Sequence, residues 1–408
     1  MKKYILSLLI VAMAASCTNQ NEPIPLPEDA VPILLRAALE KRVAQDNEFA
    51  FDLFKKTIED SEETNVFVSP LSVSIALGMA WNGANGDTKK EMETALKMSG
   101  MSVNDINDYY KIMQTTLPNI DPTTKLNIAN SLWYRKGFPV KSDFMKVNID
   151  YFNAEVRELD FAQAWAVDTI NNWCSRKTNK LIPTIIDFIP DDAMMYLINA
   201  VYFKGIWRSK FDKKVTVESN FTNEAKQQVK VNMMYQKDTF NYTTDAGAQY
   251  LDMPYGNKAF SMTVILPSEN KTTADILNNM TVEKWNSTLK TMTKREVILN
   301  FPRFKVENKF TLNNVLKTMG MPLAFTDFAD FSNISVIPLV ISEVLHKTFV
   351  TVDEEGTEAA AVTSIGFETT SVPDYPVFTV NKPFIFVIRE QSTGVILFIG
   401  KMGNVEKY

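Results

Sequence analysis

The chain has 408 residues, 45% of them hydrophobic, with 43 basic and 48 acidic side chains and a net charge of −5. This composition is typical of a globular protein with one large domain or two or three smaller ones, and it lacks the basic excess that nucleic-acid binding requires. The single histidine, His346, and the two cysteines, Cys17 and Cys174, exclude a histidine-based metal site and leave His346 as the only base for a histidine-dependent nucleophile. We expect no metal, no cofactor and no nucleic-acid partner.

The N-terminus resembles a bacterial export signal. Lys2 and Lys3 precede an apolar run over residues 4–15 that is too short to span a bilayer. The following Ser16-Cys17 completes a sequence similar to a lipoprotein box, which predicts a signal peptide over residues 1–16 and acylation of Cys17. A plain signal peptide, with Cys17 incidental, is the alternative. Residues 18–32 are polar and proline-rich and are expected to form a flexible tether.

The rest of the chain has a mixed α and β pattern. Apolar residues at helical spacing predict a helix within residues 33–59, and a short strand at Asn65 is followed by Ser69-Pro70, which predicts the start of a second helix. Further strands are predicted at Leu126–Tyr134, Met195–Phe203, Tyr250–Met253, Ser261–Leu266, Val297–Phe301, Phe349–Val352, Val377–Val380, Phe384–Ile388 and Val395–Gly400. No repeat or linker divides the chain, so we predict one α+β domain over residues 33–408. Cys174 is expected to be a buried, apolar side chain.

Six segments in order along the chain resemble the serpin family of protease inhibitors. They are Asn65-Val-Phe-Val-Ser-Pro-Leu-Ser72, Asn199-Ala-Val-Tyr-Phe-Lys-Gly-Ile-Trp207, Phe301-Pro-Arg-Phe304, His346-Lys347, Asp353-Glu-Glu-Gly-Thr-Glu-Ala-Ala360 and Asn381-Lys-Pro-Phe-Ile-Phe386. With the export signal, the chain is similar to bacterial lipoprotein serpins of the miropin type. The resemblance implies an α+β fold with three β-sheets, about nine helices and an exposed reactive-centre loop at about residues 354–376. It also implies an inhibitor that is not itself an enzyme and has no catalytic residue.

In serpin inhibitors the protease cuts this loop, and the freed N-terminal part inserts into the central sheet as a new strand before the acyl-enzyme hydrolyses. The loop of this chain has the alternation that such a strand needs. One parity is small or apolar: Thr357, Ala359, Ala361, Thr363, Ile365 and Phe367. The other parity holds both loop glutamates: Glu358, Ala360, Val362, Ser364, Gly366 and Glu368. Roughly sixteen inserted residues at about 3.3 Å each would carry the protease about 50 Å.

The start of the loop, which the family resemblance identifies as the hinge, favours inhibition. Its residues are Glu354, Gly356, Thr357, Glu358, Ala359, Ala360 and Ala361. A charged side chain at position 357 would lose its hydration on insertion, at a cost of roughly several kcal/mol. No proline interrupts the loop before Pro373, so no ladder donor is lost.

The position of the cut has several interpretations. The family's common count, with Glu354 as the seventeenth residue before the bond, predicts cleavage between Thr370 and Ser371. This bond suits elastase-like and subtilisin-like serine proteases, and no basic residue lies between Lys347 and Lys382 for trypsin-like enzymes. The bonds near Phe367 are alternatives: a papain-like cysteine protease could cut Glu368-Thr369, and a chymotrypsin-like enzyme could cut after Phe367. Counting back from Asn381 gives Val372-Pro373, a poor substrate for most proteases.

The resemblance also assigns two clusters in the central sheet. The shutter cluster, which controls when strands part, would consist of Ser69, Ser72, Asn199 and His346. At the breach, the upper opening of the sheet, Trp207 matches the family's tryptophan, and Glu354 would pair with a base for which Arg303 is the candidate. We expect this pair to contribute no more than about 1 kcal/mol if it is partly exposed. As the only histidine, His346 would account for pH dependence of loop insertion in its titration range.

The sequence therefore predicts a monomeric suicide-substrate inhibitor that forms covalent complexes with target proteases. A non-inhibitory serpin that acts as a binding or chaperone-like module is the main alternative, and a solute-binding lipoprotein or an exported hydrolase has less support from the motifs. The stretch around Asp105 and Asp108 has few bases, so no heparin-type cofactor is expected. The protein would be lipid-anchored, facing the periplasm or the outside, and would touch the membrane only through its anchor.

Overall fold

The computed structural model describes residues 27–356 and 375–408. The helices of this part are α1 (Ala37–Asp60), α2 (Pro70–Trp81), α3 (Gly86–Ala95), α4 (Val103–Thr116), α5 (Ser142–Phe152), α6 (Trp165–Lys177), α7 (Thr273–Asn278), α8 (Val282–Thr291) and α9 (Asn313–Thr318). Its strands are β1 (Asn65–Val68), β2 (Lys125–Arg135), β3 (Glu155–Leu159), β4 (Met195–Lys204), β5 (Val217–Thr222), β6 (Gln228–Thr244), β7 (Ala248–Pro254), β8 (Phe260–Pro267), β9 (Thr293–Pro302), β10 (Phe304–Thr311), β11 (Leu345–Val352), β12 (Val377–Thr379), β13 (Phe384–Glu390) and β14 (Ile396–Met402).

These strands form three sheets within the described residues. The largest has nine strands in the order β1-β14-β13-β8-β7-β6-β9-β12, with β5 paired to β6. A three-stranded sheet has the order β3-β2-β4, and β10 and β11 form an antiparallel pair in which Phe310 lies opposite His346. Three sheets and nine α-helices in the described part confirm the predicted α+β architecture.

The core has one large cluster and one smaller one. The large cluster joins α1 and α2 to the nine-stranded sheet, in which every residue of β8, β13 and β14 is buried. The smaller cluster lies between α6 and the three-stranded sheet and contains Trp133, Trp173 and Cys174. Cys174 is a free thiol in this cluster, and burial raises its pKa to about 12, so the expectation of a buried side chain is confirmed.

Local sequence explains the start of α2, which positions the site. The Ser69 Oγ accepts a hydrogen bond from the backbone N–H of Ser72 at 3.4 Å, and Pro70 occupies the first turn, where its missing N–H costs nothing. The cap residue Ser69 is buried, and so are eleven of the twelve residues of α2. The helix therefore presents a fixed N-terminus beneath the three-stranded sheet and the β10–β11 pair.

The sequence-predicted strands all occur, with ends shifted by a few residues. Four strands were not predicted: β3, β5, β6 and β10. Of these, β10 alternates strictly between buried and exposed positions, whereas β6 mixes charged and apolar residues over 17 positions. The predicted first helix, within residues 33–59, begins at Ala37 and ends at Asp60.

The last residues of the predicted tether contact the domain. The Pro27 carbonyl accepts a hydrogen bond from Arg208 at 2.7 Å, the Asp29 carboxylate pairs with Arg208 and Lys258, and the Ala30 N–H donates to the Asn257 carbonyl. Within the described residues the chain thus meets the domain before residue 32. No helix in residues 27–356 or 375–408 combines the length and apolarity needed to cross a bilayer.

Candidate functional site

The site lies where β4 and β11 face each other. Asn199 in β4 and His346 in β11 both contact the N-terminus of α2, while the segments after the two strands meet at Trp207 and Glu355. Both strands therefore run in the same direction, from α2 towards Trp207. In the described part of the chain β4 pairs only with β2, and β11 only with β10. The facing edges of β4 and β11 are therefore not hydrogen-bonded to each other in the described residues, and we call the space between them the β4–β11 opening.

The shutter cluster lies beneath this opening. The Nε2 atom of His346 accepts a hydrogen bond from the backbone N–H of Ser69 at 2.9 Å, and the Ser69 hydroxyl donates to the Leu397 carbonyl at 2.8 Å. The Ser72 hydroxyl bonds the Asn199 side-chain oxygen. The structure thus brings all four predicted residues together, with the imidazole bonded to the main chain of Ser69.

His346 is neutral in this cluster. It is 5% exposed, and burial lowers the pKa of its imidazole to about 4. The neutral ring is needed for the contact, because an imidazolium has no lone pair with which to accept the Ser69 N–H. At neutral pH the cluster is therefore uncharged.

Sequence reasoning missed two side chains of the same network, Asn130 and Gln114. The Asn199 amide donates to the Asn130 side-chain oxygen at 2.6 Å, and the Asn130 amide in turn donates to the Phe152 carbonyl at 2.6 Å and to Gln114. Asn130 is 2% exposed in the middle of strand β2. An amide in the middle of the predicted strand Leu126–Tyr134 is the signal that could have identified it, because a buried amide must be hydrogen-bonded.

The breach closes the upper end of the opening. The Trp207 indole N–H donates to the Asp353 carbonyl at 2.9 Å, and its backbone N–H donates to the Glu355 carbonyl at 2.9 Å. The ring stacks on Tyr255 with centroids 4.4 Å apart and an interplanar angle of 10°. Among the described residues, the segments that follow β4 and β11 are joined here by main-chain hydrogen bonds, including Phe211 N–H to the Glu354 carbonyl at 2.8 Å.

The predicted ion pair at the breach is present. The Arg303 Nε donates to Glu354 Oε1 at 2.8 Å, and the Thr216 hydroxyl donates to the same oxygen. Burial alone would raise the pKa of Glu354, but its hydrogen bonds from Arg303 and Thr216 outweigh burial and lower it.

The predicted energetics of this pair assumed that both partners are partly exposed. The Glu354 side chain is fully buried and Arg303 is 26% exposed, so the ceiling of about 1 kcal/mol for a partly exposed pair does not apply. The second oxygen of Glu354 has no hydrogen-bond partner in the described residues. Glu355, which the prediction missed, is a second buried carboxylate and pairs with Lys213. Its place beside Glu354 in the acidic motif was the available signal.

Gly356 is the last described residue before the loop. Its φ of +129° is disfavoured for other residues, and a Cβ atom there would lie 2.2 Å from the Gly205 carbonyl oxygen. The remaining predicted hinge residues Thr357, Glu358, Ala359, Ala360 and Ala361, the reactive-bond candidates Phe367, Glu368, Thr369, Thr370 and Ser371, and the predicted lipid anchor Cys17 lie outside the described residues.

The two ends of this undescribed segment are anchored close together. Glu354 is held by Arg303, which follows β9, and β12 resumes the chain in parallel with β9, with Val377 opposite Ile298. Since a strand rises about 3.3 Å per residue, Ile298 and Arg303 lie within roughly 17 Å. The 18 residues 357–374 between the anchors are far more than this span needs.

Comparison with known proteins identifies the family. The family model "Serpin (serine protease inhibitor)" matches residues 44–405. The leukocyte elastase inhibitor of Xenopus laevis is 35% identical over 369 residues, which cover 87% of this chain and 97% of that protein.

Two solved structures are similar to this one. Native tengpin, a thermophilic serpin, has a TM-score of 0.83 and 36% identity, with 92% of this chain and 97% of that chain covered. Human thyroxine-binding globulin in complex with thyroxine has a TM-score of 0.81 and 27% identity, with 90% and 100% covered. With the motifs, the three-sheet architecture and the clusters around the β4–β11 opening, these matches show that the chain belongs to the serpin family.

Proposed function

We propose that the protein is a suicide-substrate inhibitor of endopeptidases. The observation that carries this proposal is the β4–β11 opening, two parallel edges that share no ladder in the described residues. An antiparallel strand that enters between them could hydrogen-bond to both edges. The segment that starts at Gly356 leaves the breach at the upper end of this opening, so its first residues would need to travel little before they pair.

The proposed reaction uses the chemistry of the target protease. The protease nucleophile attacks the Thr370 carbonyl, the peptide bond to Ser371 breaks, and the new Ser371 amine takes up a proton. Residues from Thr357 onward then enter the opening with the protease attached as an ester or thioester. Transport across the sheet would distort the protease before water can attack the acyl bond.

The loop sequence supports elastase-like and subtilisin-like serine proteases as targets, with papain-like cysteine proteases as a second class. Thr370 is small and neutral, and the apolar Phe367 precedes the alternative Glu368-Thr369 bond. A cut upstream of Thr370 would shorten the inserted strand. We therefore expect a larger fraction of turnover relative to trapping at the alternative bonds.

The direct test is to mix residues 18–408 with elastase-like, subtilisin-like, chymotrypsin-like and papain-like proteases and to examine the products on denaturing gels. We expect a covalent adduct and a fragment that begins at Ser371. This fragment carries β13 and β14, whose residues are all buried, so it should separate from the domain only under denaturing conditions. Cleavage without an adduct for every protease would overturn the proposal.

A non-inhibitory binding module is the second candidate. It is favoured by the similarity to thyroxine-binding globulin, whose solved structure is a complex with thyroxine. This candidate predicts cleavage of the loop without any adduct, which the same gels would distinguish.

We further propose that the protein is exported as a monomer and anchored to a bacterial membrane by a lipid on Cys17. The support is the N-terminal sequence, in which an apolar run ends at Ser16-Cys17. Mass spectrometry of protein purified from membranes should show an acylated Cys17 at the N-terminus, and Cys17→Ala should release the protein from the membrane fraction. An unmodified chain cleaved elsewhere would contradict the anchor.

A further inference from the structure

A pocket of about 460 Å³ lies between α7, α8 and the turn that joins β6 to β7. Pockets of about 300–1,000 Å³ are the usual size for small organic ligands. None of the shutter or breach residues lines it. The pocket is therefore separate from the β4–β11 opening, and the proposed inhibition makes no use of it.

The floor of the pocket is apolar and buried. It is formed by Ile265, Ile276, Met280 and Trp285, each no more than 8% exposed. The Trp285 ring packs edge-on against Phe51 of α1 with centroids 6.1 Å apart, so the core fixes its position. An apolar ligand body could bury its surface here without ordering a mobile wall.

Both carboxylates at the rim are already engaged. One oxygen of Asp245 accepts the backbone N–H groups of Gly247 and Ala248, and its other oxygen accepts hydrogen bonds from Lys284 and Tyr250. The Asp275 carboxylate accepts both the backbone N–H and the hydroxyl of Thr272 in the capping box of α7.

The cations at the rim are less occupied. In the described part of the chain Lys271 has no ion pair, and Lys284 pairs with Asp245 alone while its side chain is 47% exposed. An ammonium group has three donors, so Lys284 keeps donors for a ligand. The pocket mouth thus offers two ammonium groups, Lys271 and Lys284, above an apolar floor.

We propose that this pocket binds small amphipathic anions, with the apolar body against Trp285 and Ile276 and the anionic group against Lys271 and Lys284. A medium-chain carboxylate has this chemistry. The proposal does not depend on protease inhibition, because the pocket and the opening share no residues.

Decanoate is the probe, titrated into the purified domain by isothermal titration calorimetry, with decanol as the uncharged comparison. We expect saturable binding of one decanoate per chain and at least fivefold weaker binding of decanol. Absence of saturable binding, or equal binding of decanol, would overturn the proposal.

Three variants locate the bound molecule. Ala246→Trp places a large ring on an exposed lining position and should abolish binding, while Lys271→Gln should weaken it about fivefold. Lys290→Gln, an exposed lysine of α8 that does not line the pocket, should bind like the wild type. All three sites are exposed, so unchanged thermal unfolding should show that the variants are folded. Wild-type affinity in Ala246→Trp would place the ligand elsewhere and refute the assignment.

Discussion

At the residue scale, the breach contains the buried carboxylate of Glu354, which is paired with Arg303. Replacing Arg303 with Met would leave the charge of Glu354 buried beside a single hydroxyl partner, Thr216. We expect Arg303→Met to lower the free energy of unfolding by roughly 3 kcal/mol, since removing one partner of a buried pair leaves its charge uncompensated. Thermal and denaturant unfolding of the intact protein would measure the loss.

The same substitution at an exposed arginine provides the control. Arg295 lies in β9 and is exposed, so Arg295→Met should change stability by no more than about 0.5 kcal/mol. If the two variants lost the same free energy of unfolding, the Arg303–Glu354 pair would contribute no more to stability than an exposed arginine.

The second residue-scale prediction concerns the pH dependence of His346. Its pKa is about 4 in the folded protein and near 6.5 in an unfolded chain, so between these values the unfolded state binds one more proton. The contribution of His346 to the free energy of unfolding is therefore constant above about pH 6.5 and falls as the pH drops towards 4. The total change is about 3 kcal/mol. We therefore expect acid to destabilise the closed shutter cluster.

His346→Gln keeps a hydrogen-bond acceptor but cannot take up the proton. The difference in unfolding free energy between wild type and variant should rise with pH by about 1.4 kcal/mol per unit between pH 4 and 6.5, and carboxylate titration cancels in this difference. A difference that does not vary with pH would contradict the assignment. The wild-type imidazole signal, unique in the spectrum, gives the folded pKa directly by NMR.

At the element scale, the junction of β11 and the loop depends on Gly356. A Cβ atom there would approach the Gly205 carbonyl oxygen to 2.2 Å and the Trp207 backbone nitrogen to 2.7 Å. Gly356→Ala should therefore separate the segments after β4 and β11, break the Trp207–Glu355 hydrogen bond, and lower the unfolding midpoint. Trp207 fluorescence should report the change in its surroundings.

Gly394 separates backbone strain from this clash. It also has a positive φ, +78°, but a Cβ atom there would meet nothing within 4 Å. Gly394→Ala should cost only the conformational strain, about 1 kcal/mol. If the two variants lost the same stability, the close approach of the backbone at the breach would have no effect.

The loop itself offers a test of which face of the inserted strand becomes buried. Thr357→Arg would place a charge on the parity predicted to face inward, and its desolvation would slow insertion, so the variant should be cleaved as a substrate. Glu358→Arg puts the same side chain one position later, on the solvent parity, and should still form the adduct. The ratio of adduct to cleaved protein on denaturing gels measures both, and similar ratios would refute the alternation argument.

Much of the site could be predicted from sequence because its residues lie in short, specific motifs. The segments around Ser69, Asn199, Arg303, His346 and Glu354 each marked a position, and the structure groups these positions into two clusters, the shutter and the breach. The network through Asn130 and the pair between Lys213 and Glu355 were missed, because both depend on contacts between distant parts of the chain. Asn130 and Asn199 are separated by 69 positions in the sequence, and Lys213 and Glu355 by 142. Local pattern carries no information on such pairings.

At the scale of the whole molecule, strand pairing was the least predictable feature. Individual strands were recognisable from alternation or apolar runs, but the order of the nine-stranded sheet joins β1 to β14 across almost the entire domain. The absence of a described ladder between β4 and β11 likewise could not be read from either strand. Both strands have ordinary sequences, and only the assembled fold shows which edges remain unshared.

The last prediction follows from these unshared edges. If the cleaved loop pairs with both β4 and β11, it adds hydrogen bonds along two ladders. Each hydrogen bond contributes about 1 kcal/mol net to stability. We expect the unfolding midpoint of the cleaved protein to exceed that of the intact protein by at least about 10 °C. Differential scanning calorimetry before and after limited cleavage would measure it. Cleavage of Thr357→Arg should raise its unfolding midpoint much less. An unchanged midpoint for the cleaved wild type would show that its loop does not insert.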